Sequence, residues 1–269
     1  MKKFDGMILA CDMDGTLLDS NRMISKENAH ALRYFTEEGG RFTLATGRAP
    51  QAIGEYIPLL PFNAPYSVLN GSLICDAQHR MQHCAGMPDS TKDLIQTVLT
   101  KFSQLGCEVF AGDRVLVRKM SPVTEHHMRV LHLDYALVTQ AQLRGTDDWC
   151  QINFTGEPAL IEQVEAFLAP YLDEFYIASS LSTFCEITAA GVNKGTALQR
   201  IASECKIAPD RIFAIGDSRN DAAMIRAAHI GFAPSNAEDC ILQAADVVVG
   251  SNDEHAVAQA VAYIEAQFC

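Results

Sequence analysis

Short, mostly apolar runs alternate along the chain with amphipathic stretches. Met7-Ile8-Leu9-Ala10-Cys11, Phe42-Thr43-Leu44-Ala45, Tyr66-Ser67-Val68-Leu69 and Ile212-Phe213-Ala214-Ile215 are each followed closely by turn residues. Runs of this length without polar alternation read as strands buried on both faces. Helical patterns lie between them. Ser25 is placed to cap a helix carrying Leu32 and Phe35 on one face, and Gly39-Gly40 stops it. Arg41 to Ala45 is the second strand, and a short helix after it breaks near Pro58 and Pro61. Strands alternating with helices over residues 7–75 predict parallel pairing with right-handed crossovers.

After about residue 84 the pattern changes. Asp89 opens an amphipathic helix with Leu94, Ile95, Val98, Leu99, Phe102 and Leu105, closed by Gly106. Two short strands, Cys107–Phe110 and Val115–Arg118, flank the turn Ala111-Gly112-Asp113-Arg114 and read as a hairpin. Trp149–Thr155, the helix Glu157–Leu168, Glu174–Ala178 and Thr183–Thr188 follow as strand, helix, strand, strand. This block predicts an α+β module with an antiparallel sheet. From Asn193 the strand–helix alternation resumes, through a strand ending at Gly216, helices over 219–228 and 237–244, strands near 229–233 and 246–250, and a last helix over 254–267. The simplest account joins 1–84 and 189–269 into one Rossmann-like α/β core, interrupted by a domain at 85–188.

Composition narrows the class. The chain has 269 residues, 48% hydrophobic and 20% charged, and a formal charge of −12. That charge argues against a nucleic-acid partner, which requires a basic face. No apolar run approaches a membrane span, and Met1-Lys2-Lys3-Phe4-Asp5 leads straight into the first strand without a signal-peptide core. A cytoplasmic protein, monomeric or weakly dimeric, is the expectation. Nine cysteines contain no Cys-x-x-Cys pair, which disfavours a zinc site, and a reducing compartment keeps even Cys75 and Cys84 as thiols. His126-His127 reads as a solvated surface pair.

The candidate chemistry begins at Asp12-Met13-Asp14-Gly15-Thr16-Leu17, where two carboxylates stand one residue apart after the first strand. Open parallel sheets place their ligand sites at such strand tips. Taken alone, the pair reads equally well as an Asp-rich turn. Three further pieces lie at strand ends or a helix start: Thr46-Gly47-Arg48, Lys194 within Gly191-Val192-Asn193-Lys194-Gly195, and Gly216-Asp217-Ser218-Arg219-Asn220-Asp221. Asp12 and Asp217 converge if they end neighbouring parallel strands. They could then hold Mg²⁺, which one or two carboxylates bind while waters and a substrate phosphate complete its shell. Lys194 would neutralise the transferring phosphoryl. Asp14, turned by Gly15, is free for proton transfer.

In this order the four pieces resemble the haloacid dehalogenase (HAD) superfamily, most closely its Cof-like subclass IIB, over nearly the whole chain. The resemblance implies a phosphatase acting through an aspartyl-phosphate, with the insertion as a cap of the C2 type. It implies Asp12 as nucleophile and metal ligand, Asp14 as general acid/base giving the metal its backbone carbonyl, and Met13 contributing a backbone N–H. Thr46, Gly47, Lys194 and Asn220 are implied on phosphate, Asp217 on the metal, and Asp221 in support of the metal from its second shell. Asn70-Gly71-Ser72 and Ser251–Val257 resemble further Cof-like segments, although His255 and Ala256 replace the usual Asp-Gly. A small phosphorylated metabolite is the implied partner, either a sugar phosphate or a phosphorylated cofactor. A phosphotransferase would use the same intermediate. A receiver-type signalling module also uses Asp, Mg²⁺ and Lys, but Asp14 would hydrolyse its acyl-phosphate, and such modules run to only about 120 residues.

Overall fold

The computed structural model describes residues 2–269, which divide into two compact units. One comprises the residues up to Gly47, Glu55–Gln82 and Asn193–Cys269; the other comprises Arg48–Gly54 and His83–Val192. The boundaries therefore fall at 82/83 and 192/193 rather than at 84/85 and 188/189. Arg48–Gly54 also joins the inserted unit, for a reason the local sequence does not carry. Gln51 Nε2 donates to the Asp113 carbonyl at 3.0 Å, and its Oε1 accepts from Asp134 N–H at 2.9 Å.

The first unit is built on five parallel strands in the order Val247–Val249, Ile230–Pro234, Ile212–Ile215, Ile8–Cys11, Arg41–Leu44. Every residue of Ile8–Cys11 is buried, as a central strand covered on both faces requires. Ile8, Ala10 and Ala214 share one cluster with Leu198 and Ile201 of helix Lys194–Glu204 and Ile225 of helix Ala222–Ala227. Full burial of each Ile or Leu there contributes about 1.5–3 kcal/mol. Helix Lys26–Glu37 begins where Ser25 accepts from Asn28 N–H. It ends where Gly40 N–H donates to the Phe35 carbonyl past a left-handed Gly39.

The third strand keeps the expected parallel relation to the second and also joins a small antiparallel sheet. Tyr66–Val68 pairs antiparallel with Leu73–Cys75, which is followed in a three-stranded sheet by Met81–Cys84. Its link to the main sheet is a single parallel bridge, Ala45 to Ser67. The cause of the antiparallel return lies in Leu69, Asn70 and Gly71, three consecutive residues with positive φ that reverse the chain at once. The helix expected over 219–228 is a tight turn, Arg219–Asp221, followed by Ala222–Ala227. The one expected over 237–244 shortens to Asp239–Leu242.

The second unit has a six-stranded sheet in the order Phe175–Ile177, Phe184–Ala189, Trp149–Thr155, Gly106–Ala111, Arg114–Lys119, Tyr135–Leu137. Its pairs are antiparallel except the last, which is parallel. That edge strand, helix Pro122–Val130 and helix Gln140–Arg144 escape the sequence reading. Tyr135–Leu137 is exposed throughout and so has no alternation to betray it. The first helix of the unit runs Thr91–Lys101 and stops short of Gly106. Phe102 and Leu105 are buried beyond its end, which prolongs the apolar period past the helix itself. His126 is exposed, but His127 is not a solvated surface residue: its Nδ1 lies 2.9 Å from Oε2 of the buried Glu108. All nine cysteines are unbridged, and among the described residues no helix is long and apolar enough to cross a membrane.

Candidate active site

Asp12 N–H donates to the Ile215 carbonyl at 2.9 Å, extending the parallel ladder one residue past Ile8–Cys11 and setting Asp12 at the strand's C-terminal tip. The neighbouring strand Ile212–Ile215 ends at Gly216 and delivers Asp217 to the same edge. On the other side, Ala45 N–H bonds the Cys11 carbonyl, so Thr46 and Gly47 follow at that edge too. Lys194 is the first residue of its helix, whose N-cap Asn193 accepts from Thr196 N–H at 2.9 Å.

Lys194 is almost fully buried, and its Nζ donates to Asp12 Oδ1 and Asp221 Oδ1, each at 2.6 Å. The other oxygen of Asp221 accepts from the N–H groups of Asp217 and Ser218, each at 3.0 Å. Asp217 accepts from Thr16 Oγ1 at 2.7 Å and Ser218 Oγ at 3.1 Å. Two glycines make this crowding possible. A Cβ on Gly216 would lie 2.5 Å from Asp221 Cγ, and one on Gly15, already at φ +75°, would lie 2.5 Å from Asp217 Oδ2.

Oxygens of Asp12, Asp217 and Asp221 lie within 4.8 Å of one another, the one group of metal-ligating side chains so placed among the described residues. Three carboxylates against one ammonium leave two negative charges in excess. Burial, and then the charge of Asp221, hold the Asp12 carboxyl well above the usual carboxylate range against the pull of Lys194. The same two causes push Asp217 up to about 6. Burial lowers the pKa of Lys194, but Asp12 and Asp221 outweigh it, so the amine stays charged. An all-oxygen, over-charged cluster fits a hard divalent cation such as Mg²⁺. Asp221 has Lys194 on one oxygen and two backbone N–H groups on the other, which suits it to hold its neighbours rather than to ligate.

The carboxyl of Asp14 does not join the buried trio; Asp14 is exposed, with extended backbone ahead of the Gly15 turn. Met13 is buried, and its carbonyl accepts from Leu18 N–H at 2.9 Å to close the turn. Asn220 is buried beside Asn70, its Nδ2 donating to Asn70 Oδ1 at 3.0 Å, while its own Oδ1 is buried with no partner in the protein. Asn70 also ties back to the second motif, since its N–H donates to the Thr46 carbonyl at 3.0 Å.

Asparagines from four distant segments brace this edge, and sequence reasoning passed over two of them, Asn28 and Asn236. Asn236 Nδ2 donates to the Gly15 carbonyl, Asn28 Nδ2 to that of Leu17 and Asn252 Nδ2 to that of Leu18, at 2.9, 3.3 and 2.9 Å. Asp253 accepts from both N–H and Oγ of Ser20. The Ser251–Val257 segment thus steadies the loop after Asp12, while Ser251 and Glu254 form a capping pair. Nothing in the local sequence marks Asn28 or Asn236.

A family model described as haloacid dehalogenase-like hydrolase matches residues 9–261. A 5-amino-6-(5-phospho-D-ribitylamino)uracil phosphatase of Bacillus subtilis is 28% identical over 260 residues, covering 96% of this chain and 95% of its own. A pyridoxal phosphate phosphatase of Escherichia coli is 24% identical over 284 residues, covering 94% and 96%. Among solved structures, a HAD-superfamily phosphatase from Bacteroides thetaiotaomicron superposes with a TM-score of 0.84 at 23% identity, covering 97% of this chain and 95% of that one. A subclass IIB sugar phosphatase gives 0.84 at 21%, covering 96% and 98%.

Proposed function

The chain belongs to the haloacid dehalogenase-like hydrolases, and we propose that it is a Mg²⁺-dependent phosphatase of small phosphorylated metabolites working through an aspartyl-phosphate. The observation that carries this reading is Lys194, buried and shared at 2.6 Å between Asp12 and Asp221. A buried carboxylate anchored on an ammonium at a strand tip is suited to attack an anion that it would otherwise repel.

The Asp12 carboxylate attacks phosphorus as the bond to the leaving oxygen breaks, and Asp14 protonates that oxygen. Asp14 then takes a proton from water, whose oxygen attacks phosphorus; the acyl-phosphate bond breaks, Asp12 returns as a carboxylate and phosphate departs. Lys194 stays on Asp12 throughout and neutralises charge. Thr46, Gly47, Asn220 and the Met13 N–H bind the phosphoryl oxygens. Asp12, Asp217 and the Asp14 carbonyl would hold Mg²⁺, with Asp221 fixing Asp217 through its backbone; the bound ion supplies charge for an anion meeting a dianion. The second unit acts as the cap that selects the leaving group. The named relatives act on ribitylamino-uracil phosphate and pyridoxal phosphate, which supports sugar phosphates or phosphorylated cofactors as the substrate class.

Hydrolysis of an aryl phosphate with and without Mg²⁺, in wild type and Asp12→Asn, tests the assignment. Mg²⁺-dependent turnover that vanishes in the variant is expected. Metal-independent turnover surviving Asp12→Asn would sink it.

A further inference from the structure

The nine cysteines are not chemically alike. Cys11, Cys107 and Cys185 are buried, and burial pushes each thiol up, which leaves it protonated and inert. Burial shifts Cys75 and Cys205 the same way. Cys84 differs: it is half-buried, and among the described residues it is the one cysteine whose thiol is held below its ordinary value.

The fold of the second unit sets Cys84 beside Cys150. Cys84 ends strand Met81–Cys84, and Cys150 is the second residue of strand Trp149–Thr155. Met87 N–H donates to the Trp149 carbonyl at 2.7 Å, so the chain leaving Cys84 runs along the start of that strand. The two cysteine side chains share a hydrogen bond, and the Gly112 backbone bonds both of them. Cys150 Sγ also donates to the Phe110 carbonyl at 3.2 Å, which fixes the buried sulfur in the sheet. Two sulfurs in a shared hydrogen bond need little further approach to reach the bonded separation of about 2.05 Å.

Their acidities diverge. The hydrogen bond with Cys150 holds the Cys84 thiol down against burial and the charge of Asp148, with help from the Gly112 backbone. The same hydrogen bond, and then burial, push Cys150 up. When Cys84 ionises, the Cys150 proton is in place to turn to its thiolate. One sulfur is therefore suited to attack and the other to resolve, since the thiolate is the reactive form and a neighbouring thiol captures its oxidised state.

We propose that Cys84 and Cys150 form a redox-modification site that closes to a disulfide when hydrogen peroxide reaches Cys84. The Cys84 thiolate attacks one peroxide oxygen; the O–O bond breaks, Cys84 becomes a sulfenic acid, and the departing hydroxide takes up the thiol proton as water. The Cys150 sulfur then attacks the Cys84 sulfur; the S–O bond breaks, and hydroxide leaves with the Cys150 proton as a second water. Two thiols lose two electrons and two protons, and one peroxide is reduced to two waters. Thiol reductants reopen the bond by exchange. Cys84 is the second residue past the crossing at 82/83, so the disulfide ties the segment entering this unit to an interior strand of its sheet. The site is independent of the phosphatase reading.

The test treats the full chain with hydrogen peroxide, alkylates the remaining thiols and maps peptides by mass spectrometry without reduction. Expected is one linked pair, Cys84 to Cys150, with two of the nine thiols lost and both restored by dithiothreitol. Trp149, the one tryptophan in the chain, adjoins Cys150; its fluorescence should fall on oxidation and recover on reduction, because a neighbouring disulfide quenches indole. In Cys150→Ser, Cys84 should accumulate as sulfenic acid and label with dimedone about tenfold or more faster than the exposed Cys240 and Cys269. Melting curves check that the variant folds, and the wild-type map stands without it. A map lacking the Cys84–Cys150 linkage would overturn the proposal, whichever other cysteines react. So would Cys84 labelling no faster than the exposed cysteines in a folded Cys150→Ser.

Discussion

Asp217 carries a carboxyl that burial and the charge of Asp221 push from 3.8 up to about 6. Between those values the folded chain binds a proton that the unfolded chain releases. The stabilisation from that proton is complete below the unfolded value and is lost as the pH rises through 6. A displacement of roughly two units corresponds to about 3 kcal/mol, since each unit is about 1.36 kcal/mol. Metal-free protein should therefore melt higher at pH 5 than at pH 7.5. The raised pKa of Lys194 acts only above its ordinary 10.5, and the lowered carboxyls of Asp76 and Asp253 act only below about pH 4, so neither intrudes on this window. The raised groups Asp12 and His127 act with the same sign, and the difference between wild type and Asp217→Asn isolates the Asp217 share. Mg²⁺ should reverse the trend, because it replaces the proton where the cluster is most crowded with charge. The assay is a set of melts at pH 5, 6, 7 and 8, with and without Mg²⁺, for wild type and Asp217→Asn. Shifts of about 2–4 °C per kcal/mol are the scale for chains near this size. The Mg²⁺-induced shift should grow with pH in wild type and flatten in Asp217→Asn. A metal-free melting temperature equal at pH 5 and 7.5, or a Mg²⁺ shift independent of pH, would refute the charge-crowding account.

Lys194→Met removes the one ammonium among three buried carboxylates, and breaking such a buried pair costs about 3–5 kcal/mol. Turnover should fall below detection, and the stability deficit in urea titrations should shrink as the pH is lowered toward 5. Gly15→Ala forces a Cβ to within 2.5 Å of Asp217 Oδ2 at φ +75°, a strain of order 1–3 kcal/mol; at least a tenfold drop in aryl-phosphate turnover is expected, and a loss under twofold would contradict the tight turn. Asn70→Ala should raise the inorganic-phosphate inhibition constant by the same factor as Asn220→Ala, with the double variant no worse than either, whereas additive losses would show that the two amides work separately. Asp14→Asn should slow phosphoenzyme formation more for alkyl than for aryl leaving groups, and equal losses would count against proton delivery by this residue.

The parallel core was legible because its strands are buried on both faces, and a fully apolar run such as Ile8–Cys11 has few other readings. The acidic edge was legible for a related reason: carboxylates directly after such runs must end at strand tips. What stayed hidden depends on contacts between distant segments. Asn28, Asn236 and Asn252 look like ordinary capping and turn residues until the fold sets them against the loop after Asp12. The antiparallel return from Tyr66–Val68 into Leu73–Cys75 was missed because no local pattern announces three successive left-handed residues. Glu108 was passed over because a single acid inside a strand pattern gives no hint that one of its oxygens will lie buried and unmatched. His127 was misjudged along with it, since only the packing of helix Pro122–Val130 on strand Gly106–Ala111 brings the two together.

The ammonium–carboxylate contact between Lys194 and Asp12 spans 182 positions, and that between Asp217 and Thr16 spans 201. At roughly 5–20 residues per second on the ribosome, the first strand waits on the order of 10–40 s for the partners that complete its site. Throughout that interval Ile8–Cys11 can pair on one side with Arg41–Leu44, but its other edge is bare. The inserted unit, contiguous except for Arg48–Gly54, is free to fold meanwhile. A chain built this way emerges with its most adhesive strand half-paired, and its yield in a cell depends on how well that edge is shielded until residue 215 is made.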